Sequence, residues 1–510
     1  MSYLLGIDLG TTGARAILVD TSDGRVVAGA TSEYPLHTPR PLWAEQDPGD
    51  WWDGTVSAVR AALGAAREAR GRVDVAAIGL SGQMHGVVLL DGTGEVVGPS
   101  IIWCDGRSQA QCDAITARVG ETRLIELTSN PALVGFSAGK LLWIRSERPD
   151  EFARARRFLL PKDYIRYRLT GAHASEVSDA SGTLLFDVAN RRWSDEMLAA
   201  LDLDRGLLPP VHESPEVTAH VTAEVARELG IAPRTPVVGG GGDQAAGAVG
   251  NGVVRPGVVS STIGTSGVVF AHCASPVRDA RGRVHTFCHA VPGAWHVMGV
   301  TQGAGLSWRW FRDEVAGDLE KRAAAAEGRE IYDVLAAQAA TAPPGSAGLL
   351  FLPYLMGERT PHLDPKARGG WFGLTAAHRR GHLARAVLEG VAYSLRDCLE
   401  ILYEMGVQVD EIRASGGGGR SALWRQIQAD VFGRAVVTVN ASEGPAYGAA
   451  LLAGVGIGAW RTVPEACATC ISVATRTEPD PAARPVYERD YRIFRDLYPC
   501  LAPLYRQLAD

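Results

Sequence analysis

The chain has 510 residues, more than one ordinary hydrophobic core accommodates, so its length predicts two large domains. Its 46% apolar and 21% charged residues are typical of a folded globular protein, and no apolar run reaches the ~18 residues of a membrane span. The formal net charge is −6 and no Lys/Arg-rich run occurs, which argues against nucleic acid as a partner.

The N-terminus lacks the basic segment and apolar segment of an export signal, so we expect a cytoplasmic protein. A predicted strand over 3–7 ends at Asp8, and the turn Gly10-Thr11-Thr12-Gly13 leads to further strands over 14–19 and 25–34. This pattern predicts a β-meander. The turn amides and hydroxyls suit phosphate oxygens and Asp8 suits a metal ion, although a plain hairpin with capping threonines is the alternative.

A predicted helix over 50–70 and a buried strand over 75–80 lead into Gln83-Met84-His85, which lies between two glycines. Ligands bind at strand carboxyl ends in open α/β sheets, so this triplet is a candidate binding loop. The alternative is a core histidine beside a core methionine. Strands over 87–90 and 96–102 follow, and the second ends at Trp103-Cys104-Asp105-Gly106-Arg107.

A glycine-crowded carboxylate lies near the middle of the chain. A predicted strand over 235–238 is followed by four glycines, then Asp243, then an Ala/Gly-rich helix. Small residues at a strand-to-helix turn leave room for a ligand near the backbone. Asp243 is therefore either a helix cap or a carboxylate that faces a bound ligand.

The opening pattern of the chain then recurs. A strand over 258–263, the turn Gly264-Thr265-Ser266-Gly267 and a strand over 268–271 repeat the first hairpin 254 positions later. The repetition at half the chain length predicts an internal duplication. Two similar halves would then face each other across a cleft, each with a hydroxyl-lined phosphate turn, and Asp243 would lie at their boundary.

A second glycine run follows a predicted strand over 411–415 and precedes a helix over 422–432. Its amides suit an anion at a helix N-terminus. The same run matches G-x-G-x-x-A from Gly417 to Ala422, with Glu443 roughly where a ribose ligand would lie, so a nicotinamide-dependent dehydrogenase stays open. That hypothesis leaves Asp8, Asp243 and both phosphate turns unexplained. Cys467 and Cys470 form a C-x-x-C without a second pair at zinc spacing, so we expect no metal role for them.

Taken together, these segments resemble the FGGY carbohydrate kinase family over roughly residues 3 to 500. The phosphate turns are shared with the wider actin-like ATPases, whereas Gln83-Met84-His85 and Trp43 to Pro48 point to members that act on xylulose. Gly419 stands where the resemblance leads us to expect alanine, so we expect a slightly looser turn there. The resemblance also rests on Leu160-Pro161-Lys162-Asp163-Tyr164, Gly357-Glu358-Arg359-Thr360-Pro361 and the span 369–389.

The resemblance implies a two-lobed α/β fold, the actin-like or ribonuclease H-like ATPase fold, with duplicated domains and an interdomain cleft. It implies an N-terminal sugar-binding domain over 1–250, a C-terminal nucleotide-binding domain over 251–485 and a C-terminal helix over 486–510. ATP and Mg²⁺ would lie in the cleft with the sugar. A homodimer is compatible with the family, although the sequence does not fix the oligomeric state.

The implied reaction is ATP-dependent phosphorylation of D-xylulose to D-xylulose 5-phosphate. Asp243 would be the general base and a sugar contact, and Asp8 would hold the metal through water. The other implied sugar contacts are Met84, His85, Trp103 and Asp105, and the implied nucleotide contacts are Gly10, Thr11, Thr12, Gly264, Thr265, Gly416, Gly417 and Gly418. The alternatives are a kinase for another ketose or polyol, the dehydrogenase, and an actin-like or chaperone-like ATPase that acts on a partner protein.

Overall fold

The computed structural model describes residues 2–326, 328–441 and 443–508. Each half of the chain is built on one mixed β-sheet. The strands of the first half are β1 (Ser2–Leu9), β2 (Gly13–Asp20), β3 (Val26–Glu33), β4 (Glu45–Gln46), β5 (Asp74–Gly82), β6 (Val88–Leu90), β7 (Ser100–Ile101), β8 (Arg157–Leu159), β9 (Ser175–Glu176), β10 (Phe186–Asp187), β11 (Arg192–Trp193), β12 (Val211–His212), β13 (Val217–His220), β14 (Pro236–Val238) and β15 (Gly241–Gly242). Its helices are α1 (Pro48–Arg70), α2 (Gln109–Val119), α3 (Glu121–Thr128), α4 (Ser137–Glu147), α5 (Pro149–Arg154), α6 (Pro161–Thr170), α7 (Val177–Ala180), α8 (Asp195–Leu201), α9 (Ala223–Leu229) and α10 (Asp243–Gly250).

The second half has fewer, mostly longer elements. Its strands are β16 (Gly257–Ile263), β17 (Gly267–Cys273), β18 (His285–Cys288), β19 (Trp295–Thr301), β20 (Leu350–Leu352), β21 (Gly370–Phe372), β22 (Val409–Ser415), β23 (Val436–Val439) and β24 (Val473–Thr477). Its helices are α11 (Ala304–Trp310), α12 (Gly317–Ala326), α13 (Ile331–Ala340), α14 (Arg380–Glu404), α15 (Gly416–Arg420), α16 (Ala422–Phe432), α17 (Gly444–Gly456), α18 (Val463–Cys470) and α19 (Arg484–Leu508).

The two main sheets share one topology. The first has the strand order β13-β14-β5-β1-β2-β3 with β15 beside β5, and the second has β18-β19-β17-β16-β22-β23-β24. In each sheet the opening strand pairs antiparallel with the next strand and parallel with a later one. That later strand again has a parallel neighbour, β14 or β23. This correspondence bears out the internal duplication that the two G-T-[TS]-G turns predict.

Helix α1 shows how local sequence builds the first half. The Asp47 carboxylate accepts a hydrogen bond from the Gly49 amide and Pro48 occupies the first turn, both of which favour a helix start. Trp51, Trp52 and the apolar residues at helical spacing after them are buried against the first sheet. The helix therefore covers one face of that sheet and leaves the strand ends open.

Helices α10 and α17 join the two halves. A Cβ added at Gly79 on β5 would overlap the carbonyl oxygen of Ala449, so α17 packs directly on the first sheet. A Cβ added at Gly448 on α17 would overlap the carbonyl oxygen of Ala246 on α10. Because α10 begins with Asp243, the position of this carboxylate depends on the packing between the halves.

Two predicted elements are wrong in extent or type. The strand predicted over 96–102 is reduced to Ser100–Ile101, since Pro99 has no amide to donate and Val96 makes only an isolated bridge with Leu90. Residues 416–420, predicted as a glycine loop, form the short helix α15. The C-terminal helix starts at Arg484, and residues 509 and 510 of its predicted range lie outside the described residues. Among the described helices, none combines the length and hydropathy needed to cross a membrane.

Candidate active site

Strand register brings Asp8 and Asp243 to one edge of the first sheet. Asp8 on β1 lies beside Ser81 on β5, and Ser81 lies beside Gly241 on β15. Neighbouring strands are about 4.8 Å apart, so two such steps separate Asp8 and Gly241 by roughly 10 Å. Asp243 follows two residues later at the same carboxyl ends. The two predicted carboxylates, more than 230 positions apart in the sequence, therefore meet.

Burial shifts the protonation of both carboxyls. It raises the pKa of Asp8 to about 6, against the lowering effects of the Ser81 hydroxyl and Arg15. Burial, together with the charge of Asp8, raises the pKa of Asp243 to about 7. An acid with a pKa near the working pH is suited to accept a proton in catalysis. Asp243 is not the cap of α10, since Gly242 holds that position and Asp243 Oδ1 accepts from the Gln244 amide at 2.7 Å.

The binding loop is fixed around His85, which has a backbone φ of 70°. Its carbonyl oxygen accepts from Ser137 Oγ at 3.1 Å and from Lys140 Nζ at 3.3 Å. Its Nδ1 lies 2.7 Å from the carbonyl oxygen of Gly182, which only accepts, so Nδ1 carries the proton. Burial, aided by the charge of Lys140, lowers the pKa of His85 to about 3, so the ring is neutral and Nε2 is left as an acceptor.

Met84 connects this loop to the edge of the first sheet that carries Asp8 and Asp243. Its side chain is almost fully buried. Its Sδ lies 2.8 Å from the position of a Cβ added at Gly242, and its Cε lies 3.0 Å from a Cβ added at Gly182. Met84 therefore packs between the segment that holds the His85 ring and the residue that precedes Asp243, so the predicted sugar loop and the predicted base share one site.

Gln46 links the sugar loop to the first phosphate turn, a role that the sequence did not reveal. It is fully buried, and its Nε2 donates to the carbonyl oxygen of Thr11 at 2.8 Å. Its Oε1 accepts from Gln83 Nε2 at 2.8 Å and from Trp51 Nε1 at 3.1 Å. In the sequence, the only signal for this glutamine is its place within the segment Trp43 to Pro48, which carries part of the family resemblance.

Trp103 and Asp105, predicted as sugar contacts, make hydrogen bonds within the protein. The Trp103 ring is exposed, and its Nε1 donates to Thr11 Oγ1 at 2.9 Å, so it contacts the phosphate turn. The Asp105 carboxylate accepts from the Ala44 amide at 2.6 Å and from Arg107 through both oxygens. These contacts hold the loop together, and direct sugar contact by either residue stays a prediction.

The second half presents its own turn beside a cavity of about 630 Å³. Gly264, Thr265 and Gly417 line this cavity, and their contact with a nucleotide stays a prediction. The amides of Gly305 and Leu306, at the start of α11, donate to the carbonyl oxygens of Gly264 and Thr265 and so fix the turn. Gly416 has a φ of 67° and a Cβ there would overlap Ile263, so only glycine fits. A Cβ at Gly419 would lie 2.8 Å from the oxygen of Ala414, so the turn is tight there, contrary to our expectation.

Aromatic side chains in this cavity were missed from the sequence. Trp308, Tyr332 and Trp424 line it together with the glycines, and the rings of Trp308 and Tyr332 stack with centroids 6.4 Å apart. They come from three separate helical regions without a recognisable motif. A flat apolar wall beside a phosphate turn suits a nucleotide base.

A second cavity, of about 590 Å³, joins Asp243 to the second half. Asp243 and Gln244 line one side, and Ser260, Thr262 and Ser415 line the other. Arg420 lines both this cavity and the one with the aromatic wall. Asp243 and the glycine run at Gly416 therefore border one cavity between the halves, and Arg420 lies between it and the cavity with the aromatic wall.

Glu443 does not have the environment that the dehydrogenase hypothesis requires. Its carboxylate accepts from Arg15 Nε at 2.7 Å and forms an ion pair with Arg15 Nη2. This pair links β2 of the first half to the start of α17. A ribose ligand at Glu443 would have to compete with it, so the dehydrogenase hypothesis is not favoured.

The metal-binding potential is concentrated at Asp8. Its buried Oδ1 accepts no hydrogen bond of normal geometry from a described residue, although the Ser81 hydroxyl lies near the carboxylate, and this fits an oxygen that faces a cation. Within the described chain no group of three or more His, Cys, Asp or Glu could hold a metal ion. Mg²⁺ keeps several waters and often takes only one or two carboxylates, so this sparse set suits it. Cys467 and Cys470 are free and buried.

Comparisons with known proteins agree with this geometry. Residues 3–250 match the model of the FGGY family of carbohydrate kinases, N-terminal domain, and residues 259–457 match the C-terminal domain of the same family. A xylulose kinase from Escherichia coli (strain K12) is 42% identical over 501 residues, which cover 98% of this chain and 99% of that protein. A xylulose kinase from Bacillus subtilis (strain 168) is 36% identical, covering 98% and 97% respectively. The crystal structure of xylulose kinase from Rhodospirillum rubrum superposes with a TM-score of 0.90 and 33% identity, covering 99% of this chain and 100% of that chain.

Proposed function

The chain belongs to the FGGY family of carbohydrate kinases, and we propose on that premise that it phosphorylates D-xylulose at O5 with ATP. One observation carries the proposal. Asp8, Asp243 and the His85 loop converge at the carboxyl ends of one sheet, and Asp243 lines a cavity whose other side includes Gly416 and Gly419 of the second half. An actin-like ATPase that acts on a partner protein needs the turns but has no use for a buried sugar loop.

Asp243 acts as the general base. Its carboxylate accepts the proton of the O5 hydroxyl while O5 forms a bond to the γ-phosphorus of ATP. The bond between that phosphorus and the oxygen bridging to the β-phosphate breaks, and ADP leaves with the bond electrons. Phosphoryl transfer depends mainly on positioning and on stabilising charge, so a fixed base and fixed amides are what the reaction requires. A positioned base contributes about 10²–10⁴ in rate.

The nucleotide lies across the two halves in this proposal. The amides and hydroxyls of the turns at Gly10 and Gly264, with the glycines at Gly416, hold the phosphates. The aromatic wall of Trp308 and Tyr332 holds the base. Asp8 would hold Mg²⁺, and the ion would neutralise charge on the phosphates. Residues 1–250 then bind mainly the sugar and residues 251–485 mainly the nucleotide.

The sugar lies between Asp243 and the His85 loop. The neutral ring of His85 offers Nε2 as an acceptor for a sugar hydroxyl, and Met84 covers part of the carbon chain. This arrangement supports a short neutral sugar, and the xylulose kinases among the relatives favour D-xylulose. Another ketose or a polyol is the remaining alternative.

The test is a coupled assay of ADP release over ketoses, polyols and sugar acids, with wild type and Asp243→Asn. D-xylulose should rank among the best substrates. The variant keeps the shape of the side chain but not the base, so turnover should fall at least about 100-fold while sugar binding changes little. Turnover above roughly a tenth of wild type would exclude Asp243 as the base. A panel in which D-xylulose ranks low would overturn the substrate alone.

A further inference from the structure

The Arg359 guanidinium lies at the edge of the proposed sugar site. Among the described residues its guanidinium makes no hydrogen bond and no ion pair. The neighbouring Glu358 acts on it only through its charge and not through a hydrogen bond, because that carboxylate accepts from the amides of Gln302 and Arg359 and from Ser394 Oγ. Arg359 therefore has five N–H donors free for a ligand.

The guanidinium reaches from the second half to the sugar loop of the first. Its Nη2 lies 3.8 Å from the position of a Cβ added at Gly135. Phe136, the next residue, packs on the His85 ring with centroids 4.9 Å apart. Phe136 also contacts the His285 ring, with centroids 5.5 Å apart, and the charge of Arg359 contributes to the lowered pKa values of both histidines.

Burial makes this arrangement costly for the free protein. Arg359 is only partly exposed, and burial lowers the pKa of its guanidinium below the usual value. A desolvated charge without a partner destabilises a fold, and such groups persist where a ligand completes them. Burial lowers the pKa values of His85 and His285, so neither ring adds a second positive charge beside Arg359.

We propose that Arg359 binds the sugar substrate. Its guanidinium donates hydrogen bonds to oxygens at the end of the sugar that lies away from Asp243. The inference rests on the proposed function, since it takes the substrate to be a short sugar with its terminal hydroxyl at Asp243. His85 Nε2 accepts a hydrogen bond from a sugar hydroxyl, whereas Arg359 donates hydrogen bonds to sugar oxygens. The two residues therefore recognise a donor group and acceptor groups of the same ligand. Arg359 belongs to the second half, whereas the His85 loop belongs to the first. The affinity for the sugar therefore also depends on the position of the second half relative to the first.

The experiment compares Arg359→Met, Arg359→Lys and wild type by steady-state kinetics and thermal unfolding. Arg359→Met should lower kcat/KM for D-xylulose by roughly 10- to 100-fold, the range for a lost charge-assisted hydrogen bond, mainly through KM. Arg359→Lys should recover part of the loss, because the charge remains but the planar fork does not. Arg281→Met, at an exposed arginine of the same half, is the matched control and should match wild type.

Two readouts separate a sugar ligand from a structural residue. Without ligands, Arg359→Met should unfold at the same temperature as wild type or higher, since an unpaired charge is removed. Its protection by MgATP should be unchanged and its protection by D-xylulose reduced. A lower unfolding temperature without ligands, or an equal loss of MgATP protection, would overturn the role of Arg359. Phosphorylation of a sugar acid in preference to D-xylulose by wild type would instead overturn the proposed substrate.

Discussion

Asp243 illustrates how a single side chain gains its chemistry at the expense of stability. In an unfolded chain an aspartate titrates near pH 4, whereas in the fold burial and Asp8 raise the pKa of Asp243 to about 7. Between these two pH values the folded protein binds a proton that the unfolded chain has released. The contribution of this group to the free energy of unfolding therefore falls as pH rises from about 4 to 7, and stays at its lower level above that.

Asp243→Asn should consequently stabilise the free protein at alkaline pH. The amide cannot ionise, so the difference in unfolding temperature, variant minus wild type, should increase from pH 4.5 to pH 8. Thermal unfolding without nucleotide or divalent cation measures it. Asp91→Asn is the control, because the Thr93 hydroxyl lowers the pKa of that exposed carboxyl and no such increase is expected. A flat difference for Asp243→Asn would show that its environment is better solvated than the structure indicates.

His85 shows which residue-level features the sequence could predict. The triplet Gln83-Met84-His85 predicted a binding loop, and the structure places that loop beside Asp243. The tautomer of the ring could not be predicted, since it depends on the carbonyl of Gly182, almost a hundred positions away. The sequence marks Arg359 only as part of a motif. That its guanidinium has no hydrogen-bond partner among the described residues depends on the positions of the surrounding side chains.

At the scale of elements, the contact between α10 and α17 sets the position of Asp243. Helix α10 carries Asp243 at its first position, and α17 packs on both α10 and the first sheet. Glycines at this contact let the backbones approach closely. The sequence predicted the glycine-rich start of α10 but not its partner, because the helix that it meets begins two hundred residues later.

Gly448→Ala should separate these helices. The added Cβ would overlap the carbonyl oxygen of Ala246, so we expect a loss of about 1–3 kcal/mol in the free energy of unfolding. Turnover should fall as well, because Asp243 moves with α10. Denaturant unfolding and the ADP assay measure the two effects.

Gly64→Ala is the matched control for that variant. Gly64 also lies inside a helix, α1, but nothing lies within 4 Å of a Cβ added there. Helix propensity then predicts a gain of up to about 1 kcal/mol and unchanged turnover. If Gly448→Ala behaved like Gly64→Ala, the two helices would not be in the close contact described.

At the scale of the whole molecule, the duplication was the most informative signal in the sequence. Two short turns at half-chain spacing predicted two related halves, and the matching strand orders of the two sheets bear this out. The aromatic wall of Trp308, Tyr332 and Trp424 could not be predicted in this way, because its residues lie on three separate helices of the second half, outside the repeated turns. Repeats therefore revealed the shared framework, whereas the features that distinguish the halves required the structure.

A ligand that contacts both halves should stabilise the molecule as a unit. In the proposed arrangement the nucleotide contacts at Gly10 belong to the first half and those at Gly264 and Gly416 belong to the second, so bound MgATP would link the halves. We expect MgATP at low-millimolar concentration to raise the unfolding temperature, since a ligand at about 100 times its Kd adds roughly 2.7 kcal/mol. NAD should give no protection, because the Gly417 run is a helix that borders the aromatic cavity and Glu443 is paired with Arg15. The unfolding temperature measured with each ligand in turn tests this prediction. Protection by NAD without protection by MgATP would refute the proposed kinase function.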